Sequence, residues 1–114
     1  MARYNYTQAF NKLIQFATLF GYKVYVNSDN NYVLLDVQEI HISPNPIEIK
    51  VYYLLHELGH IIVDINQFHD DDYEYDIEVI AWLRGIDIAN QLQIKLNIDK
   101  FNKLKQICLD SYKN

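Results

Sequence analysis

Apolar residues Ala9, Phe10, Leu13, Ile14, Phe16, Ala17 and Phe20 recur at helical spacing, and Gly21 follows where a left-handed C-cap would sit. The pattern predicts a first helix from about Tyr6 to Phe20. "KVYVN" (Lys23 to Asn27) and "YVLLD" (Tyr32 to Asp36) are β-prone runs, and the "SDNN" between them supplies turn chemistry. "EIHIS" (Glu39 to Ser43) alternates apolar and polar positions as a third strand would. "SPNP" ends that strand and places Pro46 near the first turn of a second helix, with Glu48 close to its positive end. This helix runs to about Ile65. The polar "NQFHDDDYEY" reads as a loop, after which Ile77, Ile80, Ala81, Ile88 and Leu92 outline a third helix, from about Tyr73 to Leu92 or beyond. A last amphipathic helix starts near Asp99 and uses Phe101, Leu104, Ile107, Cys108 and Tyr112. Four helices around a small sheet predict an α+β fold.

Composition narrows the class. At 114 residues the chain fits one domain, 1–114, and its apolar half with only three glycines and two prolines predicts an ordered globular protein. A net charge of −5 gives no basic field for phosphate, and Lys100, Lys103 and Lys105 are the only clustered lysines, so nucleic acid is not an expected ligand. Cys108 is the single cysteine and has no partner for an internal disulfide. No apolar run approaches the roughly 20 residues of a membrane span, and no signal-peptide pattern follows Met1. The expected compartment is the cytoplasm.

The chemistry lies in the second helix. "VYYLLHELGH" (Val51 to His60) sets two histidines and a glutamate in an apolar stretch, where ionisable groups are costly unless paired or bound to a metal. His56 and His60 are four residues apart on a helix, so their side chains share a face with Cβ atoms roughly 6 Å apart. One zinc ion can bridge them, since catalytic zinc takes three protein ligands and keeps a fourth position for water. Glu57, next to His56, is placed to accept a proton from that water without ligating the metal. This is the HExxH pattern.

A third ligand must come from elsewhere. Glu78 and Glu74 stand one turn apart on the third helix, and Glu78 lies in the more apolar setting, "EVIAW", where a bare carboxylate is costly. Glu78 is the first candidate, with Glu74 as its substitute or supporting partner. Gly59, three positions after His56, and Ala81, three after Glu78, narrow each helix beside its proposed ligand, and a helical glycine that costs about 1 kcal/mol invites a close-crossing explanation. Asp64, one turn beyond His60, is positioned to accept a ring N–H and fix the tautomer. His69, beside Asp70, Asp71 and Asp72, is a rival third ligand or part of a separate cation site, but a solvated acidic loop is the better reading of that run.

"LLHELGHIIVD", the later "EVIAW" and the order helix, small sheet, HExxH helix, glutamate helix resemble the zincin metallopeptidases, and within them the short ImmA/IrrE-like group of phages and other mobile elements. The resemblance covers roughly Val33 to Leu92. It implies a minimal zincin-like fold, zinc held by His56, His60 and Glu78, water activation by Glu57, and a peptide or protein substrate in the host cytoplasm. It further implies that "EIHIS" is an edge strand beside the cleft, where a peptide can add by main-chain hydrogen bonds. The chain has no counterpart of the DNA-binding or sensor domains of larger relatives. His41 is given no catalytic role.

Hydrolysis also calls for a donor to the tetrahedral oxyanion, and Tyr52, Tyr53, Tyr73, Tyr75 and Arg84 are residues of suitable type. Cys108 is expected in the core of the last helix. Two other classes compete with the peptidase. One is a non-catalytic binding protein that keeps the fold and engages a host or partner protein; the other is a structural zinc site with four closed protein ligands.

Overall fold

The computed structural model describes residues 4–65 and 74–112, and of 64 and 65 the backbone alone. The described elements are α1 (Tyr6–Leu19), β1 (Lys23–Tyr25), β2 (Tyr32–Leu34), β3 (Glu39–His41), α2 (Ile47–Ile65), α3 (Glu74–Gln91) and α4 (Ile98–Asp110), an α+β arrangement. Residues 66–73 of the predicted loop, His69 and Tyr73 among them, and the side chain of Asp64 lie outside the described residues, whereas Glu74 and Tyr75, the last two of that run, already belong to α3.

Local chemistry sets the helix ends. Asn5 caps α1 by accepting from the Gln8 backbone N–H at 3.0 Å. At the other end Tyr22 N–H donates to the Ala17 carbonyl and Gly21 N–H to that of Thr18, both at about 3 Å, and Gly21 adopts φ +83°. This double bond across a left-handed glycine is a Schellman motif, the role expected of Gly21. The end of α3 repeats the motif with Gln93 at φ 57° in place of a glycine, close to the Leu92 at which the apolar pattern ends.

The sheet departs from the expected layout. Its order is β1-β3-β2, with β1 parallel and β2 antiparallel to β3. "EIHIS" is therefore the central strand and not an edge, and "SDNN" leaves β1 and β2 apart with β3 between them. The chain instead turns through Leu35 to Gln38, where Asp36 accepts from the Val37 N–H and Gln38 takes a positive φ. The physical reason is burial. Ile40 and Ile42 are fully buried, whereas Val24 and Val33, the register partners of Ile40, are only half-buried. The strand whose inward residues are fully buried takes the place with a neighbour on each side. The outer face carries Tyr25, His41 and Tyr32 in one stacked row, with centroids 5.0 and 4.6 Å apart.

α2 is the axis of the molecule. Val51, Tyr52, Leu54, Leu55 and Leu58 are buried, and α1 covers one side while α3 covers the other. The α3 stripe of Glu78, Ala81, Trp82, Gly85, Ile88 and Ala89 follows helical periodicity and faces inward. His60 meets Glu78, Gly59 meets Ala81, and Leu55 meets Gly85, so the two helices run antiparallel. The crossing is close: a Cβ built on Gly59 would lie 1.9 Å from the Ala81 carbonyl oxygen, which only glycine permits.

α4 is anchored across this pair. Asn97 caps it, and its own backbone N–H donates to the Tyr52 hydroxyl at 3.0 Å. Tyr52 in turn donates to Glu48 at 2.5 Å, so a fully buried phenol is satisfied by links that join α2 to α4. Phe101 of α4 packs edge-on against Tyr52 and Trp82. Among the described residues no helix is long and apolar enough to cross a membrane.

Candidate metal centre

Close crossing of α2 and α3 brings three donor atoms to one point. His56 Nε2 lies 2.6 Å and His60 Nε2 2.9 Å from Glu78 Oε2, and the two nitrogens are 3.1 Å apart. His56, Glu57 and Glu78 are the buried polar residues of the described chain, and His60 is half-buried. Glu74, the substitute ligand, is exposed on the first turn of α3; Glu78, one turn on, carries the carboxylate that meets the histidines. His56, Glu57 and His60 also form a group whose donor atoms lie within 4.8 Å of one another and could hold a metal ion.

Protons alone serve this triangle poorly. If both Nε2 atoms carry hydrogen to satisfy Glu78, the two hydrogens crowd across the 3.1 Å gap; if either does not, its lone pair faces a carboxylate lone pair. One cation at the centre satisfies all three donors at once. A tetrahedral ion with bonds of about 2.1 Å holds its donors about 3.4 Å apart, so the triangle needs to widen by less than about 1 Å to accept it. The donor set, two imidazoles and a carboxylate, is of the kind that holds a transition-metal ion.

The carboxylates favour positive charge at this point. Burial works against protonating His56, but Glu57 and Glu78 outweigh it and push the imidazole up to about 9. Burial would raise the Glu78 carboxyl, yet His56 and His60 hold it well below the usual carboxylate range. Two buried carboxylates beside two imidazoles leave the centre short of positive charge. His56 Nδ1 stands 3.3 Å from Glu57 Oε2. A proton on that nitrogen leaves the Nε2 lone pair for an ion. The His56 ring stacks on Trp82 at 4.2 Å and 10°, which fixes its plane.

The centre lies at the base of a cleft of about 410 Å³. One wall is Asn30 and Asn31, from the loop before β2; the other is the end of α4, with Ile107, Cys108, Ser111 and Tyr112. Ile107 and Cys108, expected on the packed face of α4, thus border the cleft, and Ile107 is 61% exposed. An amphipathic pattern marks an apolar stripe without saying whether protein or an open cleft faces it.

Of the residues considered for an oxyanion donor, Tyr53 lines the cleft. Tyr52 is committed to Glu48 and Asn97, Tyr75 is half-buried on α3, and Arg84 pairs with Asp87 at 2.9 Å. Tyr112 is the residue that motif reasoning passed over as a site group. Its hydroxyl donates to Glu78 Oε1 at 2.7 Å from 34 positions away, and nothing in its sequence surroundings signals that contact. Comparison of the chain with known protein families, with characterised proteins and with solved structures finds no match in any of the three.

Proposed function

We propose that the chain is a zinc-dependent metallopeptidase similar to the zincins, with the ImmA/IrrE-like group as the likeness its motifs suggest. The observation that carries this reading is the convergence of His56 Nε2, His60 Nε2 and Glu78 Oε2 within 3.1 Å, with Glu57 buried alongside. When bound, the ion would polarise the scissile carbonyl and acidify a water. Glu57 borders the same cleft and is the carboxylate left free of the triangle, so it is the group that accepts the proton and passes it to the leaving amine. Burial, reinforced by Cys108, pushes the Tyr53 phenol up to about 12, so it stays protonated at neutral pH and can donate to the developing oxyanion. The cleft is open at the surface beside β2, an edge strand among the described residues that can pair with an extended peptide, and a peptide or protein of the cytoplasm is the proposed substrate.

The test combines metal content with turnover. Tag-free protein should carry about one zinc per chain, and Glu57→Gln should keep the metal while lowering peptide hydrolysis by about 10²–10⁴-fold. Hydrolysis unchanged in Glu57→Gln would remove Glu57 as the base. Absence of zinc even after it is added back would overturn the peptidase. Zinc with no turnover, and partner binding indifferent to Glu57→Gln, would favour the binding-protein alternative.

A further inference from the structure

Glu78 has two carboxylate oxygens, and the structure uses them differently. Oε2 faces both histidines, whereas Oε1 accepts the Tyr112 hydroxyl at 2.7 Å. A free carboxylate can chelate an ion through both oxygens, and a second oxygen on the ion would take the place that a water or a substrate carbonyl needs. The hydrogen bond removes that option by directing Oε1 away from the triangle.

The phenol is delivered from a fixed point. Tyr112 sits in the turn that closes α4, where its N–H donates to the Leu109 carbonyl at 3.0 Å and the Ser111 hydroxyl donates to that of Cys108 at 2.6 Å. The helix behind it is held by buried Phe101 and by the Asn97 link to Tyr52. α4 therefore reaches over the cleft to orient a side chain of α3.

We propose that Tyr112 is a positioning residue of the metal centre, holding Glu78 as a one-oxygen ligand and thereby keeping a coordination position open. The inference rests on the metal reading given above. It assigns the C-terminal turn a part in the site that neither the HExxH motif nor the glutamate helix contains.

The experiment compares wild type with Tyr112→Phe, which removes one oxygen and keeps the ring, by chelator competition for zinc and by the visible spectrum of the cobalt(II)-loaded protein. Loss of an outer hydrogen bond to a ligand typically weakens metal binding about 10–100-fold, and that range is expected here. The cobalt bands should also fall in intensity as Glu78 closes onto the ion with both oxygens. Tyr25→Phe, on the outer face of the sheet, should change neither reading. Wild-type affinity and spectrum in Tyr112→Phe would overturn the inference while leaving the metal centre intact. Failure of the wild type itself to bind zinc or cobalt would overturn both, so the two failures are distinct. Tyr112→Leu serves if Tyr112→Phe does not fold, with the same loss expected, and circular dichroism of the metal-free proteins establishes folding in each case.

Discussion

Gly59→Ala should destabilise the protein although alanine is the better helix former. A Cβ at position 59 would lie 1.9 Å from the Ala81 carbonyl oxygen and 2.8 Å from its carbon, both backbone atoms of the facing helix. Ordinary contact begins near 3.4 Å, so α2 and α3 must separate by about 1.5 Å at the crossing. Overpacking of this kind costs about 1–3 kcal/mol, against a gain of about 1 kcal/mol from helix propensity. A net loss of up to about 2 kcal/mol is expected, lowering the melting temperature by roughly 4 °C per kcal/mol. Because the crossing lies between His56 and His60, the same separation pulls Glu78 from the histidines, and zinc affinity should fall at least about tenfold. Gly85 provides the internal comparison: a Cβ there would meet the Leu55 carbonyl at 3.0 Å, so Gly85→Ala should cost less and spare the metal. Urea denaturation of the metal-free proteins and chelator competition read the two effects. A Gly59→Ala protein stabilised by about 1 kcal/mol, with wild-type zinc affinity, would refute the close-crossing account.

Two other outcomes follow from the packing. Trp82, the single tryptophan, is fully buried and stacked on His56, so its emission should change saturably with one equivalent of zinc and stay unchanged in His60→Ala; zinc retained by wild type without any emission change would count against ligation through His56. Burial tends to raise the Glu48 carboxyl, but hydrogen bonds from Tyr52 and Lys100 and the Lys100 charge outweigh it, so the folded value lies below the ordinary 4.5. Its contribution to stability is then complete above that value and fades as pH falls toward the folded one. Glu48→Gln should lower stability at pH 7 by an amount that shrinks in acid, and a pH-independent difference in urea titrations would contradict this.

Elements whose cause is local can be read from the order of residues alone. The first helix follows from apolar spacing and from Gly21, whose left-handed φ closes it as expected. The pairing of His56 with His60 on one face follows from their separation by one helical turn. Gly59 marks a narrow point because glycine inside a helix needs a reason, and the facing Ala81 carbonyl supplies it.

The remaining features depend on packing between distant segments. Strands of three residues carry too little pattern to state who pairs with whom, and it was the burial of Ile40 that put β3 in the centre. Glu74 and Glu78 share a face by periodicity and the apolar setting of "EVIAW" marks Glu78 as the first candidate, but it is the antiparallel crossing that buries Glu78 against the histidines and leaves Glu74 exposed. Tyr112 reaches Glu78 because α4 is anchored through Tyr52 and Phe101, contacts between residues about 50 positions apart. Helix spacing and capping are properties of neighbours along the chain, whereas strand order, the burial of Glu78 beside the histidines and its contact with Tyr112 depend on which surfaces are buried against each other.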